Sequence, residues 1–148
     1  VLQELPAATS APLAFHLLSD PVRAVRIEAA LALAAIAPGQ LSDEQSNILN
    51  KAMQEYIDSQ QAMAERPEAQ TNLGYVYASL GDFTRADAAY NKAIKLNPSF
   101  VPAYLNYADF KRSAGDEIAV QQVLKQGLEL SPDQADLLHA LGLSLVRQ

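Results

Sequence analysis

PEAQTNLGYVYASLGDFTRADAAYNKAIKLNPSF, residues 67–100, carries the pattern that decides the fold. Leu73, Gly74, Tyr77, Ala86, Tyr90, Ala93 and Pro98 define its columns, and many of them recur on a 34-residue step. The next copy reads Tyr107, Ala108, Lys111, Val120, Leu124, Gly127 and Pro132, and a third begins with Leu141, Gly142 and Leu145. A fixed period of this length marks stacked supersecondary units, each of which buries its apolar face against its neighbours. Two similar helical hairpins in an ordinary bundle are the alternative, and constant spacing over this many columns favours stacking.

Within each copy the spacing is helical. Gln70, Leu73, Gly74 and Tyr77 fall on one stripe, and Ala86, Ala89, Tyr90 and Ala93 on another. Small residues let two backbones approach, and Leu73, Tyr77 and Tyr90 fill the space between them. Gly81-Asp82 and Gly115-Asp116 supply the turn between paired helices. Pro98 and Pro132 prevent the second helix of each pair from continuing.

This pattern resembles the tetratricopeptide repeat, a pair of antiparallel helices. Residues 67–100 match its columns except the opening aromatic, where Gln70 stands. The second copy, residues 101–134, supplies that aromatic as Tyr104, but has Lys111 in place of an aromatic and Val120 and Gly127 in the small-residue columns. Those departures bear on the packing of its second helix. Residues 135–148 would be the first helix of a third copy. The resemblance implies an all-α, right-handed superhelical solenoid of antiparallel helix pairs, about seven or eight helices in all.

Upstream, Ala52, Tyr56 and Ser59 align with Ala86, Tyr90 and Ala93. Ser42 with Gln45 forms a capping-box pattern, and the spacing predicts one helix of roughly 22 residues reaching about Glu65. Ile48, Ala52, Tyr56 and Met63 mark its apolar side. This helix, within residues 41–66, would serve a degenerate repeat and cap the stack. In residues 1–40, Asp20-Pro21 reads as a helix start, and the helix runs from Val22 to about Ile36, where Ala37-Pro38-Gly39 breaks it. Val25, Ala29, Ala32 and Leu33 form its apolar side. Leu13, Ala14, Leu17 and Leu18 suggest a shorter helix before it. The run Leu18-Ser19-Asp20-Pro21, Val25-Arg26, Ala29-Ala30 and Ala32-Leu33 is similar to a HEAT-type unit; an alanine-rich amphipathic hairpin is the alternative.

A net charge of −6 with no lysine-arginine cluster argues against a nucleic-acid partner. No apolar run approaches the ~20 residues of a membrane span. The absence of cysteine leaves the redox compartment open. His16 and His139 are isolated, with no metal-binding spacing and no phosphate-binding glycine loop nearby, so neither an enzyme nor a cofactor is expected. Val1 at the start and Gln148 after a lone first helix suggest a piece of a longer protein. HEAT-like and tetratricopeptide units in sequence resemble the tail of some bacterial multihaem c-type cytochromes. That likeness implies a periplasmic location, with haem attachment outside this stretch; without it the compartment is open and a cytoplasmic one follows.

In the family resembled, first helices line a concave face that binds a protein or peptide segment. The corresponding outward positions are Glu68, Thr71, Asn72, Tyr75 and Ser79, then Leu105, Asn106, Asp109 and Arg112, then Asp136, His139, Ala140 and Leu143. Asn72 and Asn106 share a column and could hydrogen-bond a peptide backbone, or merely face solvent. Some family members clamp a terminal carboxylate with basic residues. Thr71, Tyr75, Asp136 and Ala140 stand where that clamp needs its basic and further amide groups. Asp109 and Asp136, with only Arg112 against them, point instead to a neutral or basic ligand. Three readings stand: a peptide-binding module, a structural scaffold, and a carrier whose chemistry lies elsewhere in a longer chain. Leu141 and Leu145 are the expected self-association residues of a homo-oligomer.

Overall fold

The structure, a computed structural model, describes residues 14–34 and 41–147. Among them all regular structure is helical. Residues 14–17 are helical, followed by α1 (Arg23–Leu33), α2 (Asp43–Gln61), α3 (Pro67–Ser79), α4 (Phe83–Leu96), α5 (Val101–Ser113), α6 (Glu117–Leu130) and α7 (Ala135–Val146). The chain divides into two compact units, Val1–Ser59 and Gln60–Gln148.

In the first unit the helix after Asp20-Pro21 begins later than its sequence predicts. Asp20 Oδ1 accepts the Val22 amide at 2.7 Å, forming a turn, and Val22 becomes the residue before α1. Arg26 explains the arrangement. Its Nη1 donates to the carbonyls of Asp20 and Pro21, while Nε and Nη2 both bind Glu55 Oε2 on α2. One guanidinium thus holds the turn and ties it to the facing helix. Ala14, Leu18, Ala29, Ala30, Leu33, Leu49, Ala52, Met53 and Ile57 are buried. Leu13, Ile36 and the break at Ala37-Pro38-Gly39 lie outside the described residues.

The capping box at the start of α2 forms as expected. The Ser42 amide donates to Gln45 Oε1 at 2.9 Å, and the Gln45 amide to Ser42 Oγ at 3.2 Å. Two expectations about α2 are corrected. It ends at Gln61, because tighter bonds from Met63 to Gln60 and from Ala64 to Gln61 close its last turn ahead of Pro67. Its buried side runs through Leu49, Ala52, Met53 and Ile57, whereas Ile48 and Tyr56 are half-buried and Met63 is exposed.

In the second unit, α3 pairs with α4 and α5 with α6, while α5 also packs on α3 and α7. Each pair turns at a glycine in the left-handed region, Gly81 at φ 77° and Gly115 at φ 76°. The next aspartate then caps the second helix: Asp82 accepts the Arg85 amide and Asp116 the Ala119 amide. All eight residues of the two predicted stripes in residues 67–100 are buried.

Gly74 shows why the columns hold. A Cβ there would lie 2.7 Å from Tyr90 Cε1, so the tyrosine ring occupies the space an alanine would need. Tyr90 in turn stacks on Tyr107 with ring centroids 5.4 Å apart, and lies 5.7 Å from Phe110. The first repeat is thereby keyed to the second through rings.

The second copy compensates for its departures. A Cβ on Gly127 would come within 3.0 Å of both Tyr104 Cγ and Leu137 Cδ1, so this glycine makes room for the large ring in the opening column. Val120 and Leu124 are fully buried. Gln70 and Tyr104, unlike in chemistry, do one job: Gln70 Nε2 donates to the Ala64 carbonyl at 2.8 Å, and Tyr104 Oη to the Pro98 carbonyl at 2.9 Å. Each ties its helix to the connector six residues earlier.

Gly74→Leu is expected to cost about 1–3 kcal/mol by overpacking the Tyr90 ring. Tyr90→Ala is expected to cost about 3–5 kcal/mol, by analogy with other large aromatic truncations. Chemical denaturation of each variant measures both, and an unchanged midpoint for either contradicts this packing.

Candidate functional site

First helices packed side by side leave their outward positions lining clefts. Between α5 and α7 lies one of about 320 Å³, formed by Leu105, Ala108, Asp109, Arg112, Asp136, His139, Ala140, Leu143 and Arg147. Leu105, Ala108, Ala140 and Leu143 give it an apolar lining, and the charged groups stand around them. Four of the expected groove residues, Leu105, Asp109, Arg112 and His139, come together here.

The other four do not line it. Thr71 is only 6% exposed, and its hydroxyl donates to the Pro67 carbonyl at 2.9 Å. Asn72 Nδ2 donates to Gln60 Oε1 at 3.0 Å. Asn106 Nδ2 donates to the Pro102 carbonyl of its own helix at 2.8 Å. The shared column of the two asparagines therefore does not give them a shared role. Tyr75 is exposed on α3, away from this cleft.

Arg112 is committed within the chain. Its Nη1 pairs with Asp109 one turn back, and its Nε lies 4.0 Å from Glu117 Oε1 at the start of α6. The repeat pattern does not single out Arg147, because it follows the last turn of α7 and falls outside the groove columns. It adds a second guanidinium, so the two aspartates of the cleft face two arginines. The expectation that Arg112 alone offsets them is corrected on this point.

A second cleft, about 460 Å³, opens where α4 meets α5. Phe83, Thr84, Asp87, Phe110, Lys111, Ala114 and Asp116 line it. Phe83 is 61% exposed and lies 5.9 Å from the Phe110 ring. Asp87 at its edge accepts from Lys111 Nζ, from Tyr107 Oη at 2.7 Å, and from Asn91 Nδ2 at 3.2 Å. Lys111 also lies over the Tyr107 ring, 5.1 Å from its centroid. A cation in an aromatic column thus becomes intelligible: Lys111 serves an ion pair between consecutive repeats. The only cue in the sequence was that departure itself.

Burial pushes the Asp87 carboxyl up, but the bonds from Lys111 and Tyr107 outweigh it and hold it below the usual range. For Tyr107, burial and the neighbouring Asp87 both raise the phenol above its ordinary value. In Lys111, burial works against the charge, yet the bond to Asp87 leaves the ammonium more basic than usual.

Among the described residues no three histidine, aspartate or glutamate side chains form a group able to hold a metal ion. No helix among them is long and apolar enough to cross a membrane.

With this geometry in view, comparison with known families is specific about one segment. Residues 67–100 match the tetratricopeptide repeat family. The match covers the α3–α4 pair, so this segment is a tetratricopeptide repeat within an all-helical fold. No curated protein matches the chain. Repeats of this family are non-catalytic and generally mediate protein–protein interaction.

Because the ionised Asp87 is favoured in the fold, its stabilisation is complete above the unfolded aspartate pKa of about 3.9 and is lost as pH falls through the lower folded value. Asp87→Asn is expected to be less stable near neutrality by under about 1 kcal/mol, since a carboxylate 40% exposed is partly screened by solvent. Urea midpoints followed from pH 7 downward should converge for the two proteins below about pH 4. A gap that stays constant with pH contradicts the assignment.

Proposed function

We propose that this protein is an interaction module and that the cleft between α5 and α7 grips a short segment of a partner protein. The observation that carries this reading is the convergence of outward positions from two successive first helices on one apolar-lined cleft. Leu105 and Leu143 would receive an apolar side chain, and the surrounding charges would orient the segment. Asp109 holds Arg112, and Glu117 lies beside it, so among the residues of the cleft a terminal carboxylate would find Arg147 alone against Asp109 and Asp136. A neutral or basic segment with one apolar anchor suits the site best. His139 would contribute a polar contact at the edge. Asn72, Tyr75 and Asn106 would lie along any extension of the ligand over α3 and α5, whereas Thr71 is buried with its hydroxyl on the Pro67 carbonyl; in this role they are subsidiary, because one amide N–H of each asparagine is already used.

A second reading, favoured by the exposed leucines of α7, is a scaffold that joins copies of itself or neighbouring domains of a longer chain. The HEAT-like character of residues 1–40 and the likeness to the tails of multihaem cytochromes belong to this reading. They would make the repeats a spacer beside an electron-carrying domain.

Calorimetric titration with peptides of varied charge separates these possibilities. Neutral or basic peptides with an apolar anchor are expected to bind, and acidic C-terminal tails to bind poorly. Leu143→Ala should weaken the productive peptides by more than about 1 kcal/mol. Preference for acidic tails, or indifference to Leu143→Ala, contradicts the assignment of this cleft.

A further inference from the structure

Arg112 is claimed by two carboxylates and satisfies one of them. Its Nη1 binds Asp109, three residues back on α5. Its Nε lies 4.0 Å from Glu117 Oε1 at the start of α6, close enough to attract and too far to bond. Both of these atoms are buried, and neither has a hydrogen-bond partner among the described residues. The two claims are unequal. The Asp109 side chain is 73% exposed, so water would solvate it if Arg112 left, and exposed pairs one turn apart on a helix contribute little. The Glu117 side chain is only 23% exposed and its Oε1 is buried, where a charge-assisted bond counts for more and an unmade one is costly. Arg112 thus holds its weaker partner while the stronger stands within reach.

We propose, resting on the reading of the α5–α7 cleft as a peptide site, that the bound segment carries a lysine or arginine which takes Asp109 and releases Arg112 to Glu117. The incoming cation replaces the guanidinium on Asp109, so that carboxylate stays balanced. Arg112 Nε then closes the gap to Glu117 Oε1, and two buried atoms without partners satisfy each other. A neutral segment leaves Arg112 where it is and gains none of this. A ligand shifts such an equilibrium only by the difference between the two arrangements, and here that difference is the new buried pair. The field of the cleft favours the exchange. Asp109, Asp136 and the adjoining Glu117 set three carboxylates against the guanidinium groups of Arg112 and Arg147. Asp136 and Arg147 stand at opposite ends of α7, roughly 16 Å apart along its axis, so Arg147 is badly placed to neutralise Asp136. Leu105 and Leu143 suit the methylene stem of a long basic side chain as well as a neighbouring apolar anchor.

Calorimetric titration with two blocked peptides, identical except for a lysine or a glutamine beside one leucine, tests the exchange. The lysine peptide is expected to bind at least about fivefold more tightly. Glu117→Gln should reduce that ratio below about twofold, because a neutral amide draws Arg112 far less. Asp109→Asn should also abolish the preference, by removing the carboxylate that receives the cation. In the unaltered protein the Arg112 Nε–H resonance should move downfield and exchange more slowly with water when the lysine peptide binds, and stay in place with the glutamine peptide. Equal affinities, a lysine preference that survives Glu117→Gln, or an Arg112 signal unmoved by the lysine peptide overturns the exchange, while the glutamine peptide still reports on the cleft. A glutamine peptide that fails to bind, or is indifferent to Leu143→Ala, overturns the cleft as a peptide site and the exchange with it.

Discussion

Everything in the second unit rests on a side chain that is missing. Because Gly74 has no Cβ, the Tyr90 ring can lie against the α3 backbone, and from there it reaches the rings of Tyr107 and Phe110 in the next repeat. One close approach therefore sets both the pairing of α3 with α4 and the placement of α5. The cleft between α5 and α7 depends on that placement, since its residues converge only if successive first helices lie side by side. The cleft is a by-product of packing repeated at a fixed step.

The repeat was legible because its signals are local and redundant. Small residues, rings, a left-handed glycine, a capping aspartate and a terminating proline each say the same thing at consistent spacing. What resisted reading were residues whose partners are distant in sequence. Gln70 departs from the aromatic column, yet its amide N–H, like the Tyr104 hydroxyl, donates to the carbonyl six residues earlier in the connector. Lys111 departs from the aromatic column because its partner is Asp87, on the preceding repeat. Asp20-Pro21 had the form of a helix start, but Arg26 holds those carbonyls in a turn, an effect no short window of sequence contains.

The site was half legible for a related reason. Periodicity identifies which side of a helix faces outward, and Leu105, Asp109, Arg112 and His139 met as it indicated. It does not tell which outward groups are already occupied. Asn72 and Asn106 hold equal positions in the repeat, but one bonds Gln60 and the other its own helix. Arg147 lies just past the last helical turn, where the repeat pattern no longer assigns a direction, and so its contribution to the charge balance went unread.

The two kinds of tether between repeats differ in what they demand of a neighbour. Gln70 and Tyr104 seek a main-chain oxygen, which any preceding sequence offers, so that joint would tolerate a change of neighbour. Lys111 seeks the carboxylate of Asp87, which only one predecessor presents. The first kind makes units interchangeable, while the second gives this unit an address. Between residues 67–100 and 101–134 one acidic and one basic side chain thus add a partner-specific contact to the ring packing that joins them.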